Sequence, residues 1–84
     1  MDVKQAVQAA KRHLQNVFDE EGIKPPSLEE VWLDHRKHEW CVTLGIRRSG
    51  APFAGLNLAE YKTVRVKDSD GSLVSIRARE FSGV

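Results

Sequence analysis

The sequence predicts a two-layer α+β domain in which one N-terminal helix lies across a four-stranded antiparallel meander. Three observations favour this fold. An apolar repeat of helical period opens the chain, four stretches of period-two alternation follow it, and hairpin-type connections join those stretches. At 84 residues the chain has room for one core, so a single domain is expected over residues 1–84.

The helix is predicted at about residues 3–21. Its apolar side chains fall within an arc of about 120°, the width of a helix that lies on one layer. Asp2 can act as the N-cap, with Gln5 completing a capping box. Gly22 suits the left-handed position that ends a helix, and Ile23 can then make a hydrophobic contact back to the helix. The apolar stripe comprises Val3, Ala6, Val7, Ala10, Leu14, Val17 and Phe18.

The strands are separated by three different connections. A wholly polar turn at residues 35–38 joins the first pair, and Asp70-Gly71 supplies the left-handed residue of the last hairpin. The loop at residues 48–58 is long for a hairpin, and such loops are either functional or packed by their own side chains. The strands are expected at about residues 28–34, 39–47, 60–67 and 72–80.

Alternation along the strands assigns one face of the sheet to the helix and leaves the other face open. Because the sequence predicts one helix, we expect no second layer over this open face. The inner face is expected to hold Val31, Leu33, Trp40, Val42, Leu44, Ile46, Val64, Val66, Val74, Ile76 and Ala78.

The open face is the one surface for which the sequence offers a functional rationale. Cations cluster on its third and fourth strands, although like charges opposite one another destabilise a sheet. The cluster is interpreted either as a solvated face shielded by arginine stems or as a binding surface. Together with Phe53 of the 48–58 loop, the expected partner-binding residues are Trp32, Tyr61, Arg65, Lys67, Arg77 and Arg79.

The binding interpretation has two forms. The favoured one is a non-enzymatic protein-interaction module, such as an adaptor, inhibitor or regulatory subunit, with Trp32 and Tyr61 as anchors. The alternative is a nucleic-acid-binding domain that uses the same cations on phosphates, but the net charge of +1 and the lack of an RRM aromatic motif disfavour it. An exposed edge strand could also pair with a second copy and form a homodimer. Under either form, reversing Arg65 and Arg77 to glutamate is expected to keep the fold and abolish binding.

No catalytic or metal-binding constellation converges in the sequence. His35 and His38 have a His-x-x-His spacing, but they flank two basic residues in a turn and no second ligand pair accompanies them. Cys41 has an acidic neighbour on its face of the strand, which disfavours a reactive thiolate. The glycine-bounded segment at residues 50–55 lacks the ending of a phosphate-binding loop. We therefore expect no enzyme activity, no metal and no cofactor.

The composition predicts a cytoplasmic protein without membrane contact. One cysteine cannot form an internal disulfide, which favours a reducing compartment. No apolar run approaches the length of a signal peptide core or the roughly 18 residues of a membrane span.

The order of elements resembles the PepSY-like group of small α+β domains. The resemblance rests on the helix with its glycine stop, the Trp-x-Val-x-Leu run at residues 40–44, and the hairpin that turns at Asp70-Gly71. It covers most of the chain and implies the same α+β fold. PepSY-like domains tend to be extracytoplasmic and are associated with inhibiting peptidases or with propeptides. The sequence is also similar to small single-domain bacterial proteins whose function is uncharacterised.

The predicted register can be tested at Leu44, which alternation places at the centre of the inner face. Burying a side chain of this size contributes about 1.5–3 kcal/mol, and an unpaired carboxylate in its place adds a desolvation cost. We expect Leu44→Asp to be unfolded by circular dichroism. A variant that stays folded and melts cooperatively would contradict the register.

Overall fold

One helix lies on one face of a four-stranded antiparallel sheet, which confirms the predicted α+β fold. The computed structural model describes residues 1–18, 25–46 and 60–79. The helix is α1 (Val3–Val17). The sheet follows chain order, so its first and last strands form the two edges. The strands are β1 (Ser27–Asp34), β2 (Glu39–Ile46), β3 (Glu60–Lys67) and β4 (Leu73–Ala78).

The start of α1 has the predicted capping box. The Asp2 carboxylate accepts a hydrogen bond from the Gln5 amide at 2.8 Å, and the Gln5 side chain accepts one from the Asp2 amide at 2.9 Å. At the other end, the Phe18 amide donates to the Leu14 carbonyl at 3.1 Å and caps the last turn. The predicted glycine stop falls in residues 19–24, outside the described part of the chain.

The buried side of α1 is centred differently from the predicted stripe. Ala9, which the stripe omits, is buried together with Ala6, Ala10 and Leu14. The alanines let the helix approach the sheet closely, and Leu14 inserts the large side chain. The stripe also wrongly buries its terminal valines, which are exposed and lie in the end turns of α1 beyond these contacts.

The centre of the core lies between α1 and the two middle strands. The fully buried side chains of the sheet belong to β2 and β3, as alternation predicts. Val31, Trp40 and Ile76 pack against them and are half-buried, and Leu33 is half-buried as well. The fully buried set on the inner face is Val42, Leu44, Ile46, Val64 and Val66.

The inner face of β4 differs from the prediction. Val74 and Ala78 were expected in the core, but both are exposed. The register between β3 and β4 shifts so that Leu73, not Val74, lies opposite Val66. A bulge of this kind breaks the strict alternation on which the prediction depends, and an edge strand has neighbours on one side only.

The β3–β4 turn contacts both α1 and β2. Gly71 has the left-handed φ of 73° that its Asp-Gly sequence predicts. His13 of α1 donates from Nε2 to the Gly71 carbonyl at 2.9 Å. The Trp40 indole donates to Asp68 Oδ1 at 2.7 Å, and the Met1 ammonium group lies 3.3 Å from the same oxygen. These bonds fix the turn against α1, β2 and the amino terminus of the chain.

The position of the turn can be tested at Gly71. A Cβ at this position would lie 2.7 Å from the flexible end of Met1 and 3.4 Å from the Ala9 methyl group, at a backbone angle that disfavours alanine. We expect Gly71→Ala to lower the free energy of unfolding by about 1–2 kcal/mol in urea denaturation. Ser69→Ala, an exposed change in the same turn, is the control and should stay within about 0.5 kcal/mol of wild type. Equal stability of wild type and Gly71→Ala would contradict this packing.

Candidate functional site

The strand registers bring most of the predicted site residues onto the face opposite α1, the open face. Three rows run across this face, and we name each by a feature of its members. The turn row is Asp34, Glu39 and Lys67. The tryptophan row is Trp32, Cys41, Arg65 and Ser75. The threonine row is Glu30, Thr43, Thr63 and Arg77.

The two remaining sheet residues of the predicted site lie beyond the threonine row. Tyr61 is half-buried opposite Gly45, and the Arg79 amide donates to the Tyr61 carbonyl at 2.8 Å. Phe53 and the whole 48–58 loop lie outside the described residues.

Arg65 is held at the centre of the open face from three sides. Its Nη1 lies 3.3 Å from Asp34 Oδ2 and 3.2 Å from Glu39 Oε1. Its guanidinium carbon lies 5.9 Å from the centroid of the Trp32 ring, within the range of a cation–π contact. The charge of Arg65 is therefore engaged within the molecule, and the guanidinium in turn supports the tryptophan ring.

Asp34 connects this cluster to the β1–β2 turn. Its Oδ1 accepts hydrogen bonds from the amides of Arg36 at 3.1 Å and Lys37 at 3.3 Å, while Oδ2 contacts Arg65. Desolvation acts to raise the pKa of Asp34, but the amide bonds and the guanidinium outweigh it and hold the pKa below its ordinary value. The carboxylate stays charged and orients both the turn and Arg65.

Cys41 lies between Trp32 and Arg65 in the tryptophan row and is only 1% exposed. Burial is the main cause that raises the pKa of its thiol. Arg65 opposes this shift, and the nearby carboxylates of Asp34 and Glu39 add to it. A neutral, covered thiol is a poor nucleophile. The weak reactivity that the sequence predicts for Cys41 has the same direction as this raised pKa. Burial contributes more to the shift than the acidic neighbour Glu39 does.

A third ion pair reaches across the open face. Arg79 Nη2 lies 3.3 Å from Glu30 Oε2, although one residue follows β4 and the other belongs to β1. Since neighbouring strands lie about 4.8 Å apart, the two backbones are about 14 Å apart and the side chains must extend over β2 and β3. Thr43 on β2 is 1% exposed, and its hydroxyl lies 3.1 Å from that of Thr63. In the described residues no helix or strand covers this face, but its own side chains do.

The accessible part of the face is therefore smaller than the sequence suggests. Trp32 remains 45% exposed at the β1 edge. Lys67 and Arg77 are exposed and form no ion pair with any described residue. Sequence reasoning missed Glu30 and Asp34, which lie two residues on either side of Trp32, so alternation alone could have placed them on the same face.

The described residues contain no group of three or more His, Cys, Asp or Glu side chains arranged to hold a metal ion. His35 and His38 are exposed in the β1–β2 turn. Among the described ranges, no helix is both long and apolar enough to cross a membrane.

No protein-family model matches this chain, and no curated protein or solved structure is significantly similar to it.

The ion pairs of Arg65 with Asp34 and Glu39 change the expected effect of reversing the charge of Arg65. A glutamate at this position would add a third carboxylate beside Asp34 and Glu39, and the cluster would then repel itself. Loss of binding in Arg65→Glu would mix an effect on the fold with an effect on the surface. Arg77 is the better position for testing the surface alone, because its cross-strand neighbour is the uncharged Thr63.

Two carboxylates of the described residues, Asp34 and Asp68, predict that the fold is less stable in acid. The pKa of Asp34 is lowered, and that of Asp68 is lowered chiefly by the hydrogen bond from Trp40. Both carboxylates therefore stabilise the fold fully above the unfolded-state pKa of about 3.9, and this contribution is lost as the pH falls through the lower folded-state pKa. We expect Asp34→Asn to be less stable than wild type in urea at about pH 7, and the difference to shrink at about pH 3. A difference that is independent of pH would show that Asp34 does not act through its charge.

Proposed function

We propose that this domain is a non-enzymatic protein-interaction module, acting as an adaptor, inhibitor or regulatory subunit. It binds its partner through the open face together with the 48–58 loop. The observation that carries the proposal is Trp32, a large aromatic side chain that is 45% exposed and supported by Arg65.

A supported tryptophan suits the centre of a binding site. Tryptophan is enriched among the residues that dominate interface energy, because it buries a large apolar area when a partner covers it. Trp32 is already in contact with Arg65, whose own position is set by Asp34 and Glu39. A side chain that is ordered before binding loses less conformational entropy in the complex.

The exposed cations add a preference for acidic partners. Lys67 and Arg77 lie on the β3–β4 side of the face, and neither forms an ion pair with a described residue, although Lys67 is the cross-strand neighbour of Glu39. Unpaired surface charges of this kind raise association rates and select partners of opposite charge. Tyr61, Arg79 and Phe53 are proposed as further contacts with the partner.

Cys41 and the PepSY-like resemblance bear on the location and the role of the proposed interaction module. A single cysteine held as a buried thiol suits a reducing compartment, so we place the protein in the cytoplasm. The PepSY-like resemblance stays a prediction, and the association of such domains with inhibiting peptidases fits a role as an inhibitor.

Nucleic acid is the second candidate, favoured by the exposed cations beside an aromatic ring. Arg65 and Arg79 are already engaged with carboxylates, which leaves Lys67 and Arg77 for phosphates. Binding through two contacts would be weak and would lose affinity only gradually with salt. Fluorescence anisotropy with mixed DNA and RNA oligomers at low salt decides this candidate, and undetectable binding would exclude it.

The protein-binding proposal is tested by Trp32→Ala in affinity purification of the tagged protein from its own host, with nuclease treatment. We expect the variant to fold normally and to lose the protein that wild type retains, because the anchor of the open face is removed. Leu73→Ala is the matched control, since Leu73 is 39% exposed but lies on the inner side of the β4 edge. The Leu73→Ala variant should retain the partner that wild type binds.

Two results would contradict the proposal. One is a partner that binds Trp32→Ala as well as it binds wild type. The other is a partner that is lost equally in Leu73→Ala, which would place the binding site at the β4 edge.

A further inference from the structure

We propose that the open face also docks onto the open face of a second copy of this chain, about a two-fold axis parallel to the strands. The inference rests on the proposed function, because it uses the same face and names one partner for it.

The charges of the open face are divided between its two halves. Within the described strands and Arg79, the β1–β2 half carries only acidic charges and the β3–β4 half carries only basic ones. The acidic residues are Glu30, Asp34 and Glu39, together with Glu29, whose carboxylate lies on the Cβ side of Gly45. The basic residues are Arg65, Lys67, Arg77 and Arg79.

A two-fold axis parallel to the strands, above the boundary between β2 and β3, exchanges the two halves. Position along the strands is kept, so each row of one copy faces the same row of the other. The threonine row places Glu30 over Arg77 of the second copy. The turn row places Glu39 over Lys67 of the second copy. Both cations are without an ion pair in the described part of their own chain and gain one in the dimer.

The tryptophan row adds complementarity of size. Trp32 lies over Ser75 of the second copy, and Arg65 lies over Cys41. Packed sheets lie about 10 Å apart, so a large side chain on one sheet needs a small one opposite. The exposed ring of Trp32 thereby becomes covered.

The dimensions of the face predict a weak, reversible dimer. Four strands about 4.8 Å apart and seven residues of about 3.3 Å each give about 400–500 Å² per copy. The total is below the roughly 1,200–2,000 Å² of stable interfaces, so we expect a dissociation constant between about 100 µM and about 1 mM at low salt. The dimer hides Trp32, so a second copy and a different protein partner compete for the same face.

Sedimentation velocity from about 10 µM to about 1 mM tests the dimer, at low salt and at about 500 mM salt. We expect self-association at low salt, and high salt should raise the dissociation constant at least about tenfold. Arg77→Glu should raise it by a similar factor, because the introduced carboxylate would face Glu30 of the second copy. The double variant Glu30→Arg with Arg77→Glu should restore the dimer by exchanging the two charges.

Two controls keep this test independent of folding. Arg12→Glu makes the same charge change on the exposed side of α1 and should leave the dimer intact. Each variant is checked by circular dichroism, and Lys67→Gln, which removes the charge without adding a carboxylate opposite Glu39, repeats the test on the turn row if Glu30→Arg does not fold.

Three results would overturn the inference. They are a wild-type monomer at about 1 mM in low salt, a dimer that Arg77→Glu leaves intact, and a folded double variant that stays monomeric. An intact dimer in Arg77→Glu would indicate pairing through an edge strand instead. A monomeric wild type leaves the protein-binding proposal standing, because the Trp32→Ala purification decides that proposal separately.

Discussion

The burial of both faces of β2 is the constraint on which the rest of the structure depends. On the inner side Leu44 and its neighbours lie beneath α1, and on the other side Cys41 and Thr43 are 1% exposed. Because side chains alternate with period two, a slip of one residue would exchange these sets and bury a hydroxyl and a thiol under the helix. The core therefore determines which residues form the open face.

The open face is then organised by charge pairs that extend between strands. Carboxylates on β1 and β2 hold Arg65 above Cys41, and Arg65 contacts Trp32. The acidic half lies beside a basic half, and both of the partners that we propose, an acidic protein and a second copy, depend on this distribution of charge. One arrangement thus stabilises the domain, supports the exposed ring and leaves Lys67 and Arg77 for a partner.

Alternation and turn residues were sufficient to predict the helix, the four strands and the side of the sheet on which Trp32 and the cations of β3 and β4 lie. Glu30 and Asp34 were overlooked, although the same alternation places them on that side. Three features escaped prediction. The bulge in β4 has no sequence signature, so Val74 was misplaced, and a helical wheel cannot show that the end turns of α1 extend beyond the sheet. The pairing of Arg79 with Glu30 depends on two long side chains meeting across two strands, and local sequence carries no information about that distance.

We assign Trp40 to the fold and Trp32 to binding, and replacing each of them by alanine tests this assignment most directly. Trp40 packs against the core and donates to Asp68, whereas Trp32 is 45% exposed. In urea denaturation, Trp32→Ala should cost less than about 1 kcal/mol and Trp40→Ala at least about 2 kcal/mol. Equal costs for the two variants would contradict the assignment of Trp32 to binding and Trp40 to the fold.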